Sequence, residues 1–312
     1  MEKTKNKVVA TRYFSGSLML MLGVLGFYLG GLWVWLGTAA FICLVVLDVS
    51  LPRDEQLHDV RATGLQHFVL YCQLPLIVML WLMFADMLST SSGSVLEIMG
   101  GIFSLSFLTA LGGLPPAHEL MHRHGTFRSL WGQMKDSIEI EKGRLKKTKT
   151  SFWSPQSRFF QSVILMSAWL IVWFSIAGIQ ALPLYILTMI IFYLVLGGFN
   201  YTQHYGLIRV IGEPIETRHS WNQLKPLSRA LSFEISNHSE HHLKPTRFYT
   251  DLQPYPEAPQ LPSIALCFIC AFVPPIWEAK IVKPQLAIWD EKMANEAEKK
   301  LAEEANFKAG WV

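Results

Sequence analysis

The sequence has few charged residues for its length, and the deficit is concentrated in two stretches. Only 16% of the 312 residues are charged, whereas ordinary soluble domains have about 25%. No Asp, Glu, Lys or Arg occurs from Tyr13 to Leu47 or from Phe159 to Ile208. Because about 20 helical residues cross a bilayer core of roughly 30 Å, each stretch can hold two spans. The pattern excludes an ordinary soluble domain and predicts a polytopic membrane protein.

Several other signals are missing as well. The net charge is only +3 and no basic stripe carries interleaved aromatic residues, so no nucleic-acid partner is expected. There are four cysteines, and Cys267 and Cys270 form an isolated CxxC inside an apolar segment. That setting favours small buried side chains over a metal or redox pair. Because no flavin or nicotinamide fingerprint is present either, redox chemistry would need electrons from another protein.

The apolar pattern predicts an all-α integral membrane fold, a six-span helical bundle. The basic start of the chain resembles a signal peptide, but the apolar run that follows exceeds an h-region and lacks a convincing cleavage site, so we expect an uncleaved anchor. We expect one integrated domain over residues 1–312, with a tail at 278–312. The spans are predicted near residues 13–29, 32–48, 65–87, 98–117, 160–179 and 183–203.

Lysine and arginine in the connecting segments predict the orientation of the bundle. The N-terminal segment is basic, residues 118–158 carry nine Lys or Arg, and the opposite connector at 90–94 carries none. Both termini are therefore expected in the cytoplasm, with the bundle in a bacterial inner membrane. The segment 261–277 is short for a span and contains two prolines, so we expect it to be interfacial or packed against the bundle. The tail at 290–312 alternates charge with alanine and predicts a surface helix.

Six of the ten histidines lie in three short clusters near the ends of predicted spans. His118 and His122 flank Glu119 at helical i, i+4 spacing, which places both imidazoles on one face and is suitable for a transition metal. The same HExxH pattern is the signature of zinc proteases, with Glu119 as general base. A purely structural histidine pair is the other alternative.

The second and third clusters favour metal binding more strongly as a set. His238, His241 and His242 are three imidazoles in five residues, a density that is rare in core packing because each would need a polar partner. His204 on its own is weak evidence for metal binding, and its context, NYTQHYG, strengthens that evidence. The other histidines are less persuasive: His124 and His219 lie near clusters and could orient ligands, whereas His58 and His67 are interpreted as unrelated to a metal.

These clusters resemble the histidine boxes of the membrane-bound non-haem diiron alkane 1-monooxygenases, through HELMHR, NYTQHYGL and NHSEHH. The resemblance is nearest to the hydroxylase component of xylene monooxygenases, and it extends more broadly to fatty acid desaturases. It covers most of the chain, from GFYLGGLWVWLG and LDVSLPRD to KDSIEIE and TRFY. It implies two iron ions in a histidine cage at the cytoplasmic face of a six-span bundle.

The resemblance also implies a role for each matching residue. The implied metal ligands are His118, His122, His204, His238, His241 and His242. Glu119 and Glu240 are the implied catalytic carboxylates, which orient ligand imidazoles. O2 is the implied co-substrate, and electrons are expected from NADH through a separate reductase, or from a ferredoxin or rubredoxin.

One box of the family is missing from this chain. No histidine occurs between His124 and His204, and TFRSL runs directly into WGQMKDSIEIE where the family carries a further box of three ligands. We interpret this as an internal deletion between Leu130 and Trp131 that leaves neither iron site complete. The sequence therefore predicts a hydrocarbon hydroxylase subunit of uncertain activity. Two alternatives remain: an acyl-lipid desaturase or hydroxylase, and an inactive deletion variant.

Overall fold

Six long apolar helices form the body of the protein. The computed structural model describes residues 11–58, 64–90, 93–124 and 141–311, with only the backbone at 114 and 116–124. Candidate membrane spans are Arg12–Leu29, Gly31–Ser50, Gly64–Thr90, Val95–Gly113, Arg158–Ala177 and Ile179–His204. The prediction of an all-α membrane protein with six spans is confirmed, and the predicted ranges lie within a few residues of these helices.

The α-helices are numbered in chain order as α1 (Ser15–Leu29), α2 (Leu36–Ser50), α3 (Gly64–Thr90), α4 (Val95–His124), α5 (141–147), α6 (Arg158–Ala177), α7 (Leu182–His204), α8 (Pro226–Leu231), α9 (His238–Leu243), α10 (Ile264–Ala271), α11 (Lys283–Lys292) and α12 (Glu296–Lys308). Short 3-10 turns precede α1, α2 and α7 at Arg12–Phe14, Gly31–Trp35 and Ile179–Ala181, and others lie at Thr217–His219 and Tyr249–Asp251. A short turn at Pro274–Ile276 and a π-helical turn at Trp277–Val282 lead into α11. Within the described ranges, β structure is limited to one isolated bridge between Asn222 and Gln260.

Small residues allow the spans to pack closely. A Cβ added at Gly23 of α1 would lie 2.2 Å from Leu108 of α4, and one added at Gly37 of α2 would lie 2.7 Å from the same side chain. Helices in lipid associate through such close packing because apolar side chains gain little by leaving the acyl chains. Leu108 therefore fills a groove that only glycine leaves open on both neighbouring helices.

Polar side chains inside the bundle join neighbouring spans. The Trp173 indole donates a hydrogen bond to the Trp81 carbonyl at 2.9 Å, and the Ser106 hydroxyl donates to the Thr188 carbonyl at 3.0 Å. The outer surface is apolar instead: Leu165 and Ile171 of α6 are each 70% exposed. Exposed leucine and isoleucine on a span are expected when acyl chains rather than water surround it.

Residues 205–311 fold over one end of the bundle. Helix α8 begins there because the buried Asp48, at the end of α2, accepts hydrogen bonds from the Leu227 and Ser228 backbone amides at 2.9 and 3.1 Å. An acidic group at a helix N-terminus satisfies amides that have no intrahelical partner. Arg12, at the start of the first span, pairs with Asp54 and Glu234 at this same end. The assignment of this end to the cytoplasm remains a prediction.

The prediction that segment 261–277 packs against the bundle agrees with the position of α10. Phe268 of α10 is 3% exposed and stacks on Phe199 of α7, with ring centroids 4.8 Å apart. Burial raises the pKa of both the Cys267 and Cys270 thiols, so they stay protonated and apolar in character. The tail forms the surface helix α12, whose N-terminus carries a reciprocal capping box between Asn295 and Glu298.

Candidate metal centre

The last turn of α7 delivers the first imidazole to the end of the bundle. Helix α7 ends at His204, and Gly206 follows with a φ of 80°, in the left-handed region. A Cβ at Gly206 would also lie 2.7 Å from the Leu286 side chain of α11. Glycine is required here both by backbone conformation and by close approach. The chain can therefore leave the membrane immediately after His204.

The short helix α9 supplies the facing imidazoles. His238 and His242 are four residues apart, so both project from one face of α9 toward His204. The His238 Nε2 atom is 3.0 Å from His204 Nε2 and 3.0 Å from His242 Nε2. In the described part of the chain, these are the residues whose potential ligand atoms all lie within 4.8 Å of one another. Two sequence clusters separated by 34 positions thus converge on one site.

The hydrogen bonding of His238 favours the tautomer that binds metals. Its Nδ1 atom lies 3.2 Å from the Ile235 carbonyl oxygen, which can only accept a hydrogen bond. Nδ1 therefore carries the proton, and the lone pair stays on Nε2, which faces the other two imidazoles. Burial, followed by the neighbouring imidazoles of His242, His204 and His241, lowers the pKa of His238 well below its usual value. The ring is neutral at neutral pH, as a metal ligand must be.

The donor set fits a first-row transition metal. Imidazole nitrogens bind such metals at about 2.1 Å, so two of them at right angles on one ion are about 3.0 Å apart. The two spacings that His238 makes, to His204 and to His242, match that value without rearrangement. Imidazole nitrogen donors converging at one point are ligands that iron, copper and zinc accept. The three-imidazole cluster of His204, His238 and His242 is therefore a candidate metal centre.

The remaining predicted ligands stand in two different situations. His241 is 5% exposed, and its ring centroid lies 6.0 Å from that of His238 and 5.9 Å from that of His242, beside the cluster. The side chains of His118, Glu119, His122 and His124 lie outside the described part of the structure. The backbone of α4 continues to His124, and α4 contacts α8, the helix that precedes the histidine segment. The ligand roles of these residues remain predictions.

The predicted orienting carboxylate Glu240 is fully buried but faces cations. Its Oε1 atom accepts hydrogen bonds from Arg247 at 2.8 Å and Lys244 at 3.3 Å. Both cations follow α9 on the same chain segment, so this carboxylate ties that segment to the end of the helix. Its predicted catalytic role as a partner of a ligand imidazole stays a prediction.

Three histidines have partners outside the three-imidazole cluster. His58 contacts the Asp54 carboxylate at 2.9 Å, and His67 stacks on Phe248 with ring centroids 4.9 Å apart. His219, for which a role in orienting ligands was left open, lies 2.7 Å from the Glu298 carboxylate. His219 therefore joins the 216–219 turn to the tail helix α12.

Glu298 is the carboxylate that fixes α12 to the rest of the protein. Burial raises the pKa of its carboxyl, but hydrogen bonds from Arg218, from the Asn295 backbone and from His219 outweigh burial and lower the pKa to about 2. A depressed folded-state pKa contributes stability that is fully present above the ordinary value near 4.5. That stability is lost as the pH falls from there to about 2.

Glu298→Gln is expected to loosen the tail at neutral pH. Hydrogen bonds to a charged group contribute about 1.5–3 kcal/mol each, so losing the charge should raise local opening of α12 by about tenfold or more. Limited proteolysis within residues 293–311 measures this directly. The control is Glu296→Gln, because Glu296 is 91% exposed and pairs only with Lys299 among the described residues. Equal cleavage rates for the two variants would contradict the assignment.

The sequence interpretation missed a group of buried charged residues around this site. Arg229 and Glu234 are each 1% exposed, and they pair with each other, with Arg12 and with Asp54. Arg229 and Glu234 lie in the segment just before the histidines, where two charges within an apolar stretch such as SRALSFEIS were the available signal. Nothing in the pattern indicated that their partners would come from the first span and the link after the second.

Comparisons with known proteins identify relatives of the chain. Residues 126–265, which include His204 and the histidines of α9, match the family model described as fatty acid desaturase. The xylene/toluene monooxygenase hydroxylase component of Pseudomonas putida is 36% identical over 356 aligned positions, covering 96% of this chain and 95% of that protein. Two alkane 1-monooxygenases are also similar. That of Acinetobacter baylyi is 33% identical over 157 positions, and that of Pseudomonas putida is 29% identical over 171. These matches cover 48% and 53% of this chain, and 38% and 40% of the two relatives.

Proposed function

Because the chain belongs to the family of the xylene/toluene monooxygenase hydroxylase component, we propose that it hydroxylates a terminal or benzylic C–H bond of a hydrophobic hydrocarbon. Alkanes and methyl-aromatic compounds such as xylene are the proposed substrates, with O2 as the co-substrate. The observation that carries the proposal is the three-imidazole cluster at the end of a six-span bundle. A protein embedded in lipid can take up hydrocarbons from the phase into which they partition.

We propose iron as the metal, held by His204, His238 and His242 and completed by His118, His122 and His241. When bound, iron supplies the one-electron steps that O2 needs before it can react with a C–H bond. The proposed reaction places one oxygen atom of O2 in the product alcohol and reduces the other to water with two electrons and two protons. Two non-haem irons per chain would correspond to the complete histidine set of the family.

The residues of the chain have distinct tasks in this proposal. The Ile235 carbonyl holds His238 in its metal-binding tautomer, and burial keeps that imidazole neutral. Phe199, five residues before His204 on α7, stacks on Phe268 of α10, and we propose that these rings present an apolar surface to the hydrocarbon. Glu240 pairs with Arg247 and Lys244, the two cations of the loop after α9, and holds both at its carboxylate.

Electrons are proposed to come from a separate protein, an NADH-dependent reductase or a ferredoxin or rubredoxin. The exposed lysines at 146, 147 and 149 could dock an acidic carrier, although attraction to the membrane surface explains them equally well. We also propose a bacterial inner-membrane location with both termini in the cytoplasm. The even number of spans and the basic connectors support that orientation.

Product analysis tests the proposed reaction. Membranes containing the chain and an NADH-dependent reductase are supplied in turn with toluene, xylene, octane and a fatty acyl substrate. Benzylic or terminal alcohols carrying one oxygen from 18O2 are the expected products. A new double bond in the acyl chain would favour the desaturase alternative, which the match to the fatty acid desaturase family model supports. Absence of product from every substrate would favour the inactive deletion variant.

An observation supports the deletion itself. The alignment with the Pseudomonas putida hydroxylase component spans 356 positions, more than the 312 residues of this chain. That relative therefore has internal segments without a counterpart here. We propose that one of them is the middle histidine box, missing between Leu130 and Trp131, a position outside the described residues. Reduced iron binding and low turnover would follow.

A further inference from the structure

The backbone just before the histidine helix α9 adopts an unusual turn. Phe233 and Glu234 have φ values of 50° and 60°, so two consecutive residues with side chains occupy the left-handed region. This conformation is unfavourable for residues other than glycine, and it persists only where surrounding contacts impose it. The turn lies four residues ahead of His238. Whatever holds the turn also determines where α9 begins.

Aromatic packing holds the first of the two residues. Phe233 is 0% exposed, and its ring packs against Tyr13 and Tyr249, with centroid distances of 6.0 and 5.1 Å, while the two tyrosine rings also contact each other at 4.7 Å. Tyr13 belongs to the first span and Tyr249 to the segment after α9. The side chain is thus fixed by parts of the chain that are far apart in sequence.

A buried carboxylate holds the second residue. Glu234 Oε1 pairs with Arg12 and accepts a hydrogen bond from the Tyr13 hydroxyl at 2.8 Å. Its Oε2 accepts from Arg229 Nε at 2.7 Å and from the Asn237 side-chain amide at 2.6 Å. Four donors therefore saturate one carboxylate. An amide in its place would have only one acceptor oxygen and could not satisfy them.

The second acid of the network ties it to the link after the second span. Asp54 lies 2.7 Å from Arg12 and 3.1 Å from Arg229, and it also contacts His58 at 2.9 Å. Burial opposes ionisation of Asp54, but His58, Arg229 and Arg12 lower its pKa below the usual range. Two arginines and two carboxylates thus form a closed, charge-balanced group that fixes Glu234 from both sides.

The network reaches the imidazoles through backbone atoms. The Asn237 amide donates to the Glu234 carbonyl at 2.8 Å, and the Asn237 carbonyl accepts from the His241 amide at 3.0 Å. Directly after Glu234, the Ile235 carbonyl accepts the hydrogen bond of His238 Nδ1. The turn at Glu234 therefore sets both the start of α9 and the carbonyl that selects the tautomer of His238.

We propose that Glu234 is a positioning residue for the metal centre. Its carboxylate locks the Phe233–Glu234 turn, so that the Ile235 carbonyl holds Nδ1 and leaves the His238 Nε2 lone pair facing His204 and His242. This inference rests on the proposed metal-binding function and adds to it a buried anchor supplied by Arg12, Tyr13 and Arg229. Among the described residues, the Glu234 carboxylate contacts Arg12, Tyr13, Arg229 and Asn237 and no histidine, so it acts through backbone geometry.

Cobalt(II) titration of the purified full-length chain tests the proposal, because visible absorption reports both the affinity and the ligand geometry. Glu234→Gln is expected to weaken apparent cobalt affinity by about 10- to 100-fold, the usual cost of losing a group that orients a ligand. The visible bands should also shift. Asn237→Ala keeps the ion pairs and cuts their side-chain link to α9, so it should weaken affinity in the same direction even if Glu234→Gln folds poorly.

The matched control is Asp48→Asn. Asp48 is a fully buried carboxylate that accepts three hydrogen bonds from α8 and none from α9 among the described residues. The Asp48→Asn variant should have a lower melting temperature than the parent, with unchanged cobalt affinity and an unchanged spectrum. The proposal is overturned if folded Glu234→Gln and Asn237→Ala bind cobalt as the parent does, or if Asp48→Asn weakens binding equally. Failure of the proposed function looks different, since the parent itself would then bind no cobalt through histidine.

Discussion

Replacing His238 with alanine is expected to abolish high-affinity metal binding. His238 is the central imidazole, because its Nε2 lies 3.0 Å from both His204 Nε2 and His242 Nε2. Groups that only orient a ligand cost 10- to 100-fold in affinity when removed, so loss of this ligand should cost more than about 100-fold. Iron per chain after purification and anaerobic iron(II) titration measure the effect. Hydrocarbon hydroxylation, where the parent shows it, should fall to background.

The control for this prediction is His219→Ala. His219 is also buried and lies on the same extramembrane region, but its partner is the Glu298 carboxylate at 2.7 Å. This variant should keep the iron content and iron affinity of the parent while loosening the tail. If His238→Ala retains iron as well as His219→Ala does, the three-imidazole cluster is not the metal centre. If both lose iron equally, the effect reflects general unfolding.

Restoring the histidine box that we propose is missing should give the largest gain of function. We expect insertion of a three-histidine segment between Leu130 and Trp131 to raise the iron content, toward the two per chain that we propose for the family, and to raise product formation. The reason is coordination: an ion that must react with O2 needs open positions and still needs enough protein ligands to be held. The parent offers six candidate imidazoles, whereas the family resemblance implies nine ligands.

The matched control carries the same insertion with its three histidines changed to alanine. This control should stay at the iron content and turnover of the parent, because it restores length without ligands. Equal iron content and equal product in the parent and the restored chain would show that no ligands are missing. Equal gains from both insertions would assign the effect to packing of the segment and would contradict the ligand interpretation.

The spans were predictable because the bilayer imposes a length and a composition on every crossing helix. The charge-free stretches 13–47 and 159–208 each contain two spans, and the breaks fall at Gly30 and near Gly178. Gly30 and Gly178 have φ values of 66° and 76° in the structure, a conformation that glycine adopts readily. The number of spans and the breaks between them could therefore be predicted from composition and from the positions of glycine.

The convergence of His204 with α9 could be predicted only in outline. No candidate span lies between His204 and α9, which places both clusters at one end of the bundle but says nothing about distances. The 3.0 Å contacts depend on how the segment before α9 is held, and the Phe233–Glu234 turn holds it. The contact between Tyr13 and Glu234 that fixes this turn joins residues 221 positions apart in sequence.

The buried charge network lies beyond what one sequence reveals. Arg12 looks like an ordinary positive flank of a first span, and Asp54 like an ordinary loop acid. Their pairing with Arg229 and Glu234 becomes visible only when the first span, the link after the second span and the α8–α9 segment are brought together. The two charges in SRALSFEIS, just before the histidine helix, were the one clue, and many surface loops share such charges.

Iron K-edge X-ray absorption on the iron-loaded chain tests the central claim most directly. The claim is that imidazoles from α7 and α9 bind one metal together. We expect at least three imidazole nitrogens per iron, supplied by His204, His238 and His242. In the variant with all three histidines changed to alanine, the imidazole scattering should be lost. An oxygen-dominated shell that is the same in the parent and in the triple variant would contradict it.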